Sequence, residues 1–171
     1  MEIFWFAART IANTELNMRD YLRNHRIECF VPTIIHPGKK HQETPSREIL
    51  LVTNLIFFKT DFTTANTLFS LKRQKIFCIR NQKGLITVPE KQMNDFMAFV
   101  KHYGSKIVFG NDTWIVGEKA RIKSGPFAGM EGVVNQVDNK NYFTLSLGEL
   151  LSLTVKFPKS NLTKIAVYDG I

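Results

Sequence analysis

The sequence predicts an α+β sandwich, an antiparallel sheet with helices packed on it, followed by a small all-β barrel. Three observations predict this. The first hundred residues alternate β-prone runs with stretches of helical period. From Trp114 onward only short alternating segments appear, with turn residues between them. Between the two lies a glycine-bearing stretch without helical period, ending Gly110-Asn111-Asp112. The expected division is a first domain over 1–103, a linker over 104–113 and a barrel over 114–171.

Ile3–Arg9 (IFWFAAR) is an aromatic, β-prone run, and Asn13-Thr14 supplies cap chemistry for a helix. Met18, Tyr21 and Leu22 form that helix's apolar stripe, with Arg19, Arg23 and Arg26 outside it. Ile27–Ile35 (IECFVPTII) reads as a strand that Pro32 places at an edge or a bulge. His36–Ser46 is polar and carries two prolines and a glycine, as a mobile basic loop would. Ile49–Phe58 (ILLVTNLIFF) is apolar at both alternating sets of positions, the pattern of a central strand covered on each side. Thr63-Thr64 can cap a helix reaching about Lys72 or Arg73. Ile76–Arg80 and Leu85–Val88, joined by Asn-Gln-Lys-Gly, read as a hairpin with Gly84 in the left-handed position. Pro89 suits the first turn of a helix striped by Met93, Phe96, Met97 and Val100. In the last third Lys119–Lys123, Val133–Val137, Tyr142–Leu147 and Ser152–Phe157 alternate, and closing such short strands into a barrel removes their exposed edges.

A hydrophobic content of 44% with 22% charged residues fits a globular chain. No run approaches the roughly 20 apolar residues of a membrane span, and the N-terminus has no signal-peptide pattern. The expected location is therefore the cytoplasm, where Cys29 and Cys78 would stay reduced. With 23 basic and 15 acidic residues the net charge is +8. That balance favours a polyanionic partner, because each phosphate neutralised by Lys or Arg releases counterions. A merely basic surface is the alternative. Catalytic patterns such as G-x-S-x-G and H-E-x-x-H are absent from the sequence. His36 and His41 stand in a polar loop without a nearby cysteine and read as solvated, and a Cys78–His102 nucleophile pair has no supporting motif. The expectation is a protein without catalytic residues, metal or cofactor.

The stretch Gly117–Val134 (GEKARIKSGPFAGMEGVV) concentrates glycines without a phosphate-binding signature. Ala120 and Ile122 alternate with Arg121 and Lys123, Ser124–Phe127 forms a turn, and Gly132 is expected where another strand leaves no room for a Cβ. Gly125-Pro126-Phe127-Ala128-Gly129 followed by Gly132-Val133-Val134 resembles the KOW motif of SH3-like barrels in ribosomal proteins and NusG-type transcription factors. Trp5-Phe6, Glu28-Cys29-Phe30-Val31-Pro32, Asn54-Leu55-Ile56-Phe57 and Val88-Pro89 are similar, in order and spacing, to the N-terminal (NGN) domain of NusG. Asn54–Phe57, Ile79-Arg80-Asn81 and Val88–Met93 most resemble the specialised UpxY-type paralogues, antiterminators of bacterial surface-polysaccharide operons. Val52-Thr53-Asn54-Leu55 stands where housekeeping NusG has Phe-Pro-Gly/Asn-Tyr, which removes an aromatic from the polymerase contact.

The resemblance implies a monomeric elongation and antitermination factor that binds the β′ clamp helices of RNA polymerase and touches the β pincer. Bridging the DNA channel would disfavour the pause- and termination-prone state. Carried over by position, the polymerase-docking residues are Trp5, Phe6, Val52, Leu55, Phe57 and Ile79, for which core packing is the plain alternative. Upstream DNA and the non-template strand would meet Arg9, Asn17, Arg19, Tyr21, Arg23, Lys72, Arg73 and Lys75, for which solvated charge is the alternative. Phe127, Met130 and Leu147, taken as exposed, would recruit a ribosomal protein or the termination factor Rho. The rival reading is a ribosome-associated RNA-binding KOW protein, against which the first hundred residues count.

Overall fold

The computed structural model describes residues 2–38, 45–70, 76–110, 117–137, 140–147 and 150–165. The chain forms two compact units, Met1–Val100 and Lys101–Ile171. The first contains β1 (Phe4–Thr10), α1 (Glu15–Asn24), β2 (Glu28–Phe30), β3 (Thr33–His36), β4 (Arg47–Leu50), β5 (Ile56–Thr60), α2 (Phe62–Ser70), β6 (Ile76–Cys78), β7 (Arg80–Asn81), β8 (Gly84–Leu85) and β9 (Thr87–Val88), then α3 (Glu90–Tyr103), whose last three residues belong to the second unit. Its main sheet has the order β2-β5-β1-β6, with β9 also paired to β1. Every pairing is antiparallel.

Alternation along these strands divides the core in two. Phe6, Ala8, Ile56, Phe58, Ile76 and Cys78 face one side, where Met18 and Leu22 of α1 and Ala65 and Leu68 of α2 cover them. Trp5, Ala7 and Phe57 face the other, and the Phe57 ring meets Phe96 of α3 at 5.4 Å. Helices thus cover both faces of the sheet, and the α+β sandwich expected from the sequence is what forms.

Several elements differ from expectation. The run Ile27–Ile35 is two strands, because Pro32 has no N–H for the ladder: β2 stays in the main sheet and β3 leaves it to pair with β4. The apolar run Ile49–Phe58 is likewise divided. Asn54 takes a left-handed backbone, φ 59°, between β4 and β5. The cap of α2 is Asp61 rather than Thr63-Thr64: its carboxylate accepts the Thr64 N–H at 2.9 Å and the Thr64 hydroxyl at 2.7 Å. The buried stripe of α3 is Met93, Phe96, Phe99 and Val100, with Phe99 more buried than the expected Met97. The β7–β8 hairpin has Gly84 at φ 123°, as the turn sequence requires.

The second unit adds β10 (Val108–Gly110), β11 (Glu118–Ile122), β12 (Glu131–Val137), β13 (Lys140–Leu147), β14 (Leu151–Lys156) and β15 (Leu162–Lys164). They form one antiparallel sheet, β10-β14-β13-β12-β11-β15, around Ala120, Ile122, Phe143, Leu145, Leu147, Leu153 and Val155. Four strands match the expected segments. Strand β10 falls inside the stretch expected as a linker: 104–106 is a 3-10 turn, Ile107 is buried, and Val108 pairs with Thr154. The short β-prone run Ile107-Val108-Phe109, set between glycines, outweighs the loop signals around it. Residues 111–113 of that stretch lie outside the described residues.

Gly132 sits where expected: a Cβ there would lie 2.4 Å from the Thr144 carbonyl oxygen and 2.6 Å from the Phe143 ring. Both cysteines are free thiols, Cys78 buried and Cys29 half-buried. Among the described residues, no helix is long and apolar enough to cross a membrane.

Candidate docking and nucleic-acid surfaces

The apolar residues expected to dock polymerase divide into two groups. Trp5, Phe6, Leu55 and Phe57 are core, each exposing 3% or less of its surface. Phe6 lies under α1 and α2, stacked on Phe58 at 5.8 Å, and Phe57 lies under Phe96. Because the sheet is covered on both faces, these four have no surface to offer a partner. Val52 and Ile79 are half-buried and keep some.

The ladder shows what lies beside Ile79. Arg9 pairs with Phe77 across β1 and β6. Extending the β1–β5 register one step past Ala8↔Ile56 places Leu55 on the other side of Arg9, and the Thr10 N–H donates to the Asn54 carbonyl at 3.3 Å. Directly paired residues point to the same face, so Leu55, Arg9 and Phe77 form a row. The neighbouring row is Phe57, Ala7 and Ile79, closed by an Ile79 N–H to Ala7 carbonyl bond of 2.8 Å. Arg9 is exposed and Phe77 is 56% exposed, an unusual state for a phenylalanine ring. Sequence reasoning missed Phe77, since in Ile-Phe-Cys-Ile every position is apolar and alternation alone does not tell which face a helix leaves open.

On α1, Asn17 and Tyr21 are one turn apart and so share a face. Asn17 is exposed, and the half-buried Tyr21 ring lies 4.2 Å from that of His25. Arg23 is exposed on the same helix. Arg19 departs from expectation. Its guanidinium donates to Glu48 of β4 at 2.5 Å and to Asp20 at 3.2 Å, and only 16% of the side chain is exposed. It fastens α1 to the β3–β4 hairpin and is not free for a phosphate. Glu48 also accepts the Thr33 hydroxyl at 2.7 Å. Burial pushes the Glu48 carboxyl up, but the Thr33 hydroxyl and Arg19 outweigh it and hold it below its ordinary range. A groove of about 590 Å³ runs between the start of α1 and this hairpin, lined by Asn13, Glu15, Leu16, Asn17 and Arg47–Leu50. Lys72, Arg73 and Lys75 lie outside the described residues.

In the second unit Phe127, Met130 and Leu147 are buried, which corrects their expected role as exposed partner contacts. Phe127 stacks on Tyr103 at 5.6 Å, and Leu147 is fully enclosed. The KOW-like turn folds its own aromatic inward, with Gly125 at φ 90° and Gly129 at φ 85° making the path possible. On the surface Arg121 pairs with Glu131 and Lys164 with Glu118. As for nucleophilic chemistry, burial pushes the Cys78 thiol up to about 12, so it is not a thiolate at neutral pH.

Comparison with known proteins agrees with the two-unit fold. The family described as transcription termination factor nusG matches residues 4–97, and the KOW motif matches residues 116–146. A solved structure that it resembles is the crystal structure of the MjSpt4:Spt5 complex, conformation B. The two are 14% identical over 97% of this chain and 99% of that one, with a TM-score of 0.31, too low to carry any argument. No curated protein matches the chain. The first match spans more than half of the sequence and coincides with the sheet that carries Arg9 and Phe77, so the chain belongs to the NusG family of transcription factors, with a KOW motif in its second unit.

Proposed function

We propose that the chain is a specialised elongation and antitermination factor that binds the clamp helices of the RNA polymerase β′ subunit. It acts on selected operons such as surface-polysaccharide loci. The observation that carries this reading is the row Leu55–Arg9–Phe77, where an exposed ring and a cation stand beside half-buried Ile79 of the neighbouring row. An aromatic anchor next to an arginine at the rim of a shallow apolar surface suits a partner helix. Asn17, Tyr21 and Arg23 on α1 meet the non-template strand, a ring and charges being what single-stranded nucleic acid requires, and the sequence cluster Lys72, Arg73 and Lys75 adds basic charge for the same partner. The KOW unit recruits a ribosomal protein or Rho through its outer surface rather than through Phe127, Met130 or Leu147. The factor works as a monomer without cofactor, by binding the processive state of polymerase more tightly than the paused one.

The test is transcription by purified bacterial polymerase on a template with a defined pause and terminator. The expected result is a shorter pause and more read-through when the chain is added. Neither effect should appear with Phe77→Glu, which alters an exposed residue and should leave the fold intact. Unchanged pausing and termination with the wild-type chain at saturation would overturn the reading.

A further inference from the structure

Glu15, in the first turn of α1, is completely buried, a rare place for a carboxylate. One of its oxygens accepts the Asn54 N–H at 2.6 Å, while the other is enclosed with no hydrogen-bond partner among the described residues. Asn54 is the left-handed residue between β4 and β5, a conformation that asparagine adopts more readily than most residues with a side chain. Its carbonyl accepts the Thr10 N–H of β1 on the other side. The turn over 51–54 is therefore pinned twice, by β1 and by the first residue of α1.

The start of a helix favours negative charge, which helps Glu15 stay there. Yet an enclosed carboxylate with an idle oxygen is a costly way to fill space that an apolar side chain could fill. What the carboxylate fixes is the turn that presents Val52 and delivers Leu55 beside Arg9 and Phe77. The same residue opens the helix that presents Asn17 and Tyr21. We infer that Glu15 is a positioning residue for polymerase docking, holding the Val52–Leu55 turn at its place on the sheet through the Asn54 N–H. This rests on the docking reading above and extends it to a residue that makes no contact with the partner.

The test uses the full chain and two readouts, hydrogen exchange at the Asn54 amide and affinity for purified RNA polymerase. In Glu15→Ala the amide should exchange at least about tenfold faster and the affinity should fall about tenfold, as for loss of a hydrogen bond to a charged group. Glu15→Gln keeps an oxygen for the Asn54 N–H and should retain both within about threefold. Met18→Ala, which removes core packing from the same helix, should lower the melting temperature yet leave polymerase affinity within about threefold. If Glu15→Ala does not fold, Glu15→Asp, whose shorter side chain draws the carboxylate away from Asn54, should show the same losses in weaker form. Wild-type affinity in a folded Glu15→Ala or Glu15→Asp chain, or an equal loss in Met18→Ala, would overturn the inference. A wild-type chain that does not bind polymerase would overturn the docking reading itself, and that outcome shows before any variant is compared.

Discussion

Gly132 shows how much a single residue can reveal. Its place in Gly-Val-Val after a Gly-Pro-Phe turn already says that a side chain is excluded, and the excluding atoms are the Thr144 carbonyl and the Phe143 ring of the adjacent strand. Gly132→Ala should therefore cost about 1–3 kcal/mol through forced displacement of β13. Denaturant titration followed through the second unit would measure it, and an unchanged midpoint would mean that β12 and β13 separate at no cost. Trp5, Phe6, Leu55 and Phe57 show the opposite limit. Their apolar character was plain, but burial depends on whether a helix covers the face they point to. With α1 and α2 on one side and α3 on the other, both faces are covered, and that is a property of packing between segments far apart in sequence. Phe77 stays exposed because it lies at the end of the sheet beside Arg9, a fact set by strand order.

Among elements, helices and barrel strands were legible because period and turn residues mark them locally, whereas the division of apolar runs was not. Pro32 and Asn54 each break one such run, and the pieces join different sheets. The detached β3–β4 hairpin is held to α1 by Arg19, Glu48 and Thr33. Because the Glu48 carboxyl is held below its unfolded value of about 4.3, its contribution to stability is present above that pH. It is lost as pH falls through the lower, folded-state value. Unfolding free energy measured against pH should thus fall as the pH is lowered through the carboxylate range, with part of the slope missing in Glu48→Gln. An identical slope in that variant would show that the hairpin is held by other contacts.

As a whole, the molecule carries a NusG-type sandwich and a KOW unit, and the first unit is the one we propose to bind polymerase. The proposed docking surface is not the buried apolar set that the sequence alone suggests, but exposed Arg9 and Phe77 at the end of the same sheet face. The most direct measurement replaces Phe77 with a photo-crosslinking amino acid and irradiates the full chain bound to a stalled elongation complex. The expected result is a crosslink to the largest polymerase subunit, mapped to its clamp helices and abolished by Arg9→Glu in the same chain. A chain that binds the complex yet crosslinks from position 77 only to nucleic acid, or to no component, would contradict it.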